Sequence, residues 1–199
     1  MFTIDHLTFR YPGHVVFEAY SAQIPRNALI YGPNGCGKTT LLQLLAKILV
    51  PKDGTILWNQ SDRYRASVAL NRTLLYDDIV FEKQLLWICS ETGHDKKWLH
   101  ARCEPLQLAS LLPLRPGEMS QGMRQWATLA FVCAMPADVY LLDEPLASLD
   151  KSKCIQFLDF IKNRTNLGES FILTGHTLDI VNDAPWLSPF ELKTKQQIA

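Results

Sequence analysis

Eight consecutive residues, Gly32, Pro33, Asn34, Gly35, Cys36, Gly37, Lys38 and Thr39, fit the pattern GxxxxGK[ST]. Residues of these types at this spacing make a cradle for phosphate. Glycines let the backbone close around an anion, and consecutive N–H groups converge into a concave nest. Lys38 adds a mobile positive charge for the β- and γ-phosphates of a nucleotide. Thr39 adds a hydroxyl for Mg²⁺, with Thr40 directly behind it. The pattern requires a strand before it and a helix after it, so that the positive end of the helix faces the same anion.

A second set of chemical groups stands further along the chain. Val139, Tyr140, Leu141 and Leu142 form an apolar run that ends in Asp143, Glu144 and Pro145. In open α/β sheets, ligands bind at the carboxyl ends of the strands. Asp143 is placed there to hold Mg²⁺, directly or through water, and Glu144 to orient and deprotonate an attacking water. A positioned base of this kind accelerates a reaction by roughly 10²–10⁴. A phosphate loop and a carboxylate pair do not by themselves choose among kinases, GTPases and transport ATPases.

The elements around these residues read as an α/β chain. Residues 3–9 alternate as a strand does, and 15–17 can pair with a neighbour. Residues 28–31 (Ala, Leu, Ile, Tyr) are the strand that meets the phosphate loop, and 38–49 carry Leu41, Leu42, Leu45, Ile48 and Leu49 at helical spacing. Pro51 stops that helix, and Gly54 lies in the turn beyond it. Residues 55–58 and 67–70 read as strands. From about 80 to 118 leucine, tryptophan and charged residues replace β-branched ones, which predicts a small inserted helical subdomain. Residues 122–134 are expected as a helix, 139–142 as a buried parallel strand, 151–162 as a helix, 170–174 as a strand and 177–182 as a short helix. The length suits one domain, with 184–199 expected as a C-terminal tail, frayed from residue 193.

Composition narrows the partners. The 199 residues hold 20 Lys and Arg against 20 Asp and Glu, so no basic field draws nucleic acid or an anionic membrane. No apolar run approaches the roughly 18–20 residues that span a bilayer. The five cysteines (Cys36, Cys89, Cys103, Cys133, Cys154) are scattered without CxxC pairs, as in proteins of a reducing compartment. Cys36 lies inside the loop beside Lys38, where alkylation is expected to block nucleotide binding. His6, His14, His94 and His100 show no metal-ligand spacing. Trp87, with Leu85, Leu86 and Ile88, is a candidate lining for a partner's groove.

Taken in order, these motifs resemble the nucleotide-binding domain of ABC ATPases. The resemblance covers residues 1–183. Met119, Ser120, Gln121, Gly122 and Met123 resemble the family signature LSGGQ, and Ala147, Ser148, Leu149 and Asp150 resemble the D-loop. The resemblance implies that His176 is the switch histidine and that Tyr11 stacks on adenine. It implies that Asn71 stands where the family carries its Q-loop glutamine, reaching Mg²⁺ or water with a shorter side chain. It further implies a P-loop NTPase core with a mostly parallel sheet, an N-terminal antiparallel β part and a helical subdomain. The cofactors it implies are ATP and Mg²⁺. Two such chains, in a homodimer, would enclose two ATP molecules, with Ser120, Gln121 and Gly122 of one chain completing the phosphate site of the other. The partner implied is a separate integral membrane transporter subunit, with this chain on the cytoplasmic face. The Gly54–Trp58 run and the overall size also resemble the haem-exporter ATPases of cytochrome c maturation.

Gln121 and Met123 depart from the signature glycine and glutamine. Two alternatives remain at this point. One is a soluble ABC ATPase unconnected with transport. The other is a nucleotide-gated binding module with little hydrolysis.

Overall fold

The computed structural model describes residues 1–70, 74–176 and 178–193. The chain opens with two antiparallel strands, β1 (Phe2–Tyr11) and β2 (His14–Ile24), and then enters the short buried strand β3 (Ala28–Tyr31). The phosphate loop leads from β3 into helix α1 (Lys38–Leu45). Strand β4 (Asp53–Trp58) returns to pair antiparallel with β1, and β5 (Ala66–Ala69) starts the next layer. Helices α2 (Phe81–Thr92) and α3 (Lys96–Cys103) follow, and then α4 (Gln121–Ala134). The remaining elements are β6 (Val139–Leu142), α5 (Lys151–Asn166), β7 (Phe171–Gly175), α6 (Asp179–Asp183) and β8 (Ser188–Glu191).

The strands form two sheets. One is antiparallel, in the order β2-β1-β4; the other has the order β5-β6-β7-β3-β8, with every pair parallel. Parallel neighbours need crossover connections, and helices supply most of them here. The central strands are buried on both faces, which is why β6 and β3 read as unbroken apolar runs. Their side chains alternate between two cores. Leu29, Leu142 and Leu173 pack with Trp126 and Phe157 of the helical side. Ile30, Leu141 and Ile172 pack with Phe2, Phe17 and Leu41 of the antiparallel side. The period-2 geometry of a strand makes this division automatic.

Two expectations from the sequence are corrected. Helix α1 stops at Leu45, four residues early, because Lys47 takes a left-handed φ of 58° and the amides of Ile48 and Leu49 turn back to the Gln43 carbonyl. Ile48 is thereby exposed instead of lying on the buried face. The segment from 184 is not a tail up to the last described residues. β8 forms the edge of the parallel sheet beside β3, and Leu187 and Leu192 on either side of it are buried.

The helical segment is fastened to the sheet by a buried ionic cluster. Arg102 of α3 donates to the Cys133 carbonyl at 2.9 Å and to Glu169 Oε1 at 2.9 Å, and also reaches the Tyr140 hydroxyl. Arg164 of α5 donates to Glu169 Oε2 at 2.8 Å. Burial pushes the Glu169 carboxyl above its usual range despite the opposing pull of Arg102.

Candidate functional site

The loop between β3 and α1 is shaped by its glycines. A Cβ on Gly32 would lie 2.5 Å from the Leu192 carbonyl oxygen, and one on Gly37, at φ 102°, would lie 2.8 Å from Val16 Cγ1. Neither position admits a side chain. Gly37 is also the N-cap of α1, and it offers no side chain to the amides of the first turn, which leaves those N–H groups to an anion. Lys38 is buried, and its Nζ donates to the carbonyls of Gly32 at 2.8 Å and Pro33 at 3.2 Å. The ammonium is thus folded across the mouth of its own loop.

β6 delivers Asp143 next to this loop. The Thr39 hydroxyl donates to Asp143 Oδ2 at 2.7 Å, and the Thr174 hydroxyl donates to Oδ1 at 2.6 Å. The Glu144 amide in turn donates to Thr174 Oγ1 at 2.8 Å. Glu144 has a left-handed φ of 48°, a conformation a non-glycine residue rarely adopts. Its Oε1 lies 3.0 Å from Nε2 of His176, which follows directly on the end of β7. One path of hydrogen bonds, completed by a close Glu144–His176 ion pair, therefore runs from the first turn of α1 through β6 and β7 to His176.

These groups line a cleft of about 560 Å³. Tyr11, Asn34, Gly35, Gly37, Lys38, Thr39, Thr40, Glu144 and His176 are brought together in its walls, as are His14 and Val16, which the sequence did not single out. Tyr11 is partly exposed, edge-on to Phe9 at 5.0 Å, with its hydroxyl 3.5 Å from Thr40 Oγ1. Asp143 lies beneath the cleft behind Thr39. Pro33 and Gly32 contribute carbonyls to Lys38 and do not line the space. Asn71 lies outside the described residues.

The Cys36 side chain is buried in the antiparallel-side core, with its sulfur close behind Gly32. Leu85 and Ile88 are likewise buried, which leaves Trp87 and the neighbouring Tyr76 as the exposed aromatics of that surface, edge to face at 5.7 Å.

Ser120, Gln121 and Gly122 are not in this cleft. Ser120 caps α4, accepting from the Met123 amide at 3.3 Å, and Gln121 Nε2 donates to Ser148 Oγ at 3.2 Å. Ser120 and Gly122 line a separate hollow of about 320 Å³ with Met123, Trp126, Ser148 and Lys153. A Cβ on Gly122 would lie 3.1 Å from the Ser148 carbonyl, so the signature and D-loop segments touch. The Lys153 ammonium sits over the Trp126 ring, 4.5 Å from its centroid.

The residues present suit Mg²⁺. Thr39 and Asp143 supply hard oxygen donors beside the phosphate loop. No cluster of three or more His, Cys, Asp or Glu ligands exists among the described residues. Mg²⁺ is commonly held in this way, by one or two protein oxygens with phosphates and water completing its octahedron.

A parallel sheet that presents a phosphate loop and an acidic pair at the same strand ends defines a P-loop nucleotide-binding domain. The sequence profile of the ABC transporter family matches residues 20–147, and the chain belongs to that family. Nitrate transport protein NasD of Klebsiella oxytoca is 30% identical over 178 residues, covering 83% of this chain and 67% of its own length. The cytochrome c biogenesis ATP-binding export protein CcmA of Wolbachia pipientis wMel is 28% identical over 186 residues, covering 89% and 90%. The dimeric structure of a bacterial ABC transporter cassette shares the fold, with a TM-score of 0.76 over 92% of this chain and 91% of its own, at 15% identity. No helix among the described residues is long and apolar enough to cross a membrane.

Proposed function

We propose that this chain binds ATP with Mg²⁺ and hydrolyses it, two copies closing on two nucleotides to drive a separate membrane transport protein. The observation that carries this is the connected path Thr39–Asp143–Thr174–Glu144–His176 at the edge of the phosphate loop. Lys38 exchanges the carbonyls of Gly32 and Pro33 for phosphate oxygens. Thr39 and Asp143 hold Mg²⁺, which neutralises charge on the phosphates when bound. Glu144 accepts the proton of the attacking water, and His176, with Nε2 3.0 Å from Glu144 Oε1, keeps the carboxylate aimed. Tyr11 forms the base-side wall.

The signature hollow supports the two-copy arrangement. Ser120 and the first amides of α4 border a hollow separate from the chain's own cleft, and in this reading a phosphate held there belongs to another copy. Coupling to a membrane protein rests on the family and on the names of the relatives. In this proposal the chain works at the cytoplasmic face, with the exposed Tyr76 and Trp87 offered to that protein.

Steady-state turnover of the wild type against Glu144→Gln tests the proposal. The account expects ATP hydrolysis by the wild type and a loss of about 100-fold or more in the variant, with ATP binding retained. A wild type that binds ATP but does not turn it over makes the chain a nucleotide-gated binding module. A variant as active as the wild type removes Glu144 from the chemistry.

A further inference from the structure

Thr174 lies in the interior of β7 and is fully buried. It reads in the sequence as one more β-forming residue. Its hydroxyl nevertheless has both of its roles committed to the acidic pair, donating to Asp143 Oδ1 and accepting from the Glu144 amide. We propose that Thr174 is the positioning residue of the site, setting the direction of both carboxylates through one hydroxyl. This rests on the ATPase reading above and deepens it.

The geometry carries three consequences. Asp143 has two oxygens, and Thr174 ties down the one remote from Thr39. Oδ2 then faces the Thr39 hydroxyl at a fixed angle, so the two oxygens meant for Mg²⁺ keep a fixed separation. Glu144 begins its turn at φ 48°, and the hydrogen bond its amide donates to Thr174 Oγ1 helps retain a non-glycine residue in that left-handed state. The side chain of Glu144 is thereby sent toward His176. Finally, β7 carries both Thr174 and Gly175 straight into His176, so one strand fixes the base and the residue that aims it.

Three substitutions separate a hydroxyl effect from a packing effect. Thr174→Val keeps the volume and β-branch but has no hydroxyl. Thr174→Ser keeps the hydroxyl alone, and Thr174→Ala removes both. A misplaced reacting group commonly costs about 100-fold, so kcat of Thr174→Val is expected to fall about 10- to 100-fold. Its KM for ATP should stay within about threefold, as befits loss of an interaction made only in the transition state. Thr174→Ser should retain kcat within about threefold of wild type. A readout without turnover accompanies these: binding of a fluorescent ATP analogue in the Glu144→Gln background, titrated with Mg²⁺. The Mg²⁺ midpoint should rise about 10-fold with Thr174→Val, the usual scale for losing a partner of a metal ligand, while binding in EDTA stays unchanged.

Equal kcat in Thr174→Val and wild type overturns the proposal. So does an equal loss in Thr174→Ser and Thr174→Val, or weakened binding in EDTA, each of which marks a packing defect. If Thr174→Val does not fold, the contrast between Ser and Ala in Mg²⁺ midpoint decides in its place. A wild type without turnover sinks the ATPase reading and this proposal together. A wild type that is active, a silent Glu144→Gln and a fully active Thr174→Val sink this proposal alone.

Discussion

The Lys38 ammonium already has two carbonyl partners, so its charge is held at the loop without strain on the side chain. Lys38→Ala should weaken ATP binding about 10- to 100-fold, the scale of one charge-assisted contact, in a titration with a fluorescent analogue. The thiols give a second test. Cys103 is pushed up to about 11 by burial, and burial drives the Cys133 thiol further still. With Cys36 also buried, and the half-buried Cys154 thiol itself pushed up by burial, a colorimetric thiol reagent at pH 8 should react quickly with Cys89, more slowly with Cys154, and with all five only after denaturation. Fast reaction of a third thiol in the native protein would contradict the packing. Most of the phosphate-binding groups were legible because the glycines and Lys38 have no other common use at that spacing. Thr174 was not, because a threonine in a strand carries no mark of where its hydroxyl points. The burial of Cys36 was not legible, because it depends on how the loop folds back onto Leu192.

At the scale of elements, the Arg102–Glu169–Arg164 cluster joins α3 to α5 and to the start of β7. Breaking a buried ion pair by removing one partner costs about 3–5 kcal/mol. Arg102→Met should sit near the low end of that range, since Glu169 keeps Arg164, and chemical denaturation would measure it. β8 offers a parallel case. Leu192 is fully buried, and Leu192→Ala should cost about 2–5 kcal/mol. A loss under 1 kcal/mol would mean that the edge strand is dispensable. β6 matched its expected bounds because a strand buried on both faces must be apolar throughout. β8 was missed because Ser188, Pro189 and Glu191 are tolerated only at an edge, where one side of the strand needs no partner. The early end of α1 depends on a left-handed Lys47, and lysine gives no notice of that conformation.

For the molecule as a whole, Tyr140 is buried in one core, and Tyr20 and Tyr64 pack half-buried against the other. Tyr20 and Tyr64 are pushed up to about 12, chiefly by burial, and Tyr140 is driven higher still. An unfolded tyrosine loses its proton near pH 10. The unfolded chain therefore releases these protons first, so the tyrosines' contribution to stability is level below about pH 10 and falls toward about pH 12. Thermal midpoints across that range should drop steadily, and a flat profile would contradict the buried setting. The separation of the Ser120–Gly122 hollow from the cleft was legible only through the family resemblance, because nothing in Ser120, Gln121 or Gly122 shows that they lie apart from Lys38. The central claim is that one copy completes the site of another. It is tested most directly by light scattering of Glu144→Gln with Mg-ATP and with Mg-ADP. The account predicts a doubled mass with Mg-ATP and the single-chain mass with Mg-ADP. A single-chain mass in both, with ATP bound, would contradict it.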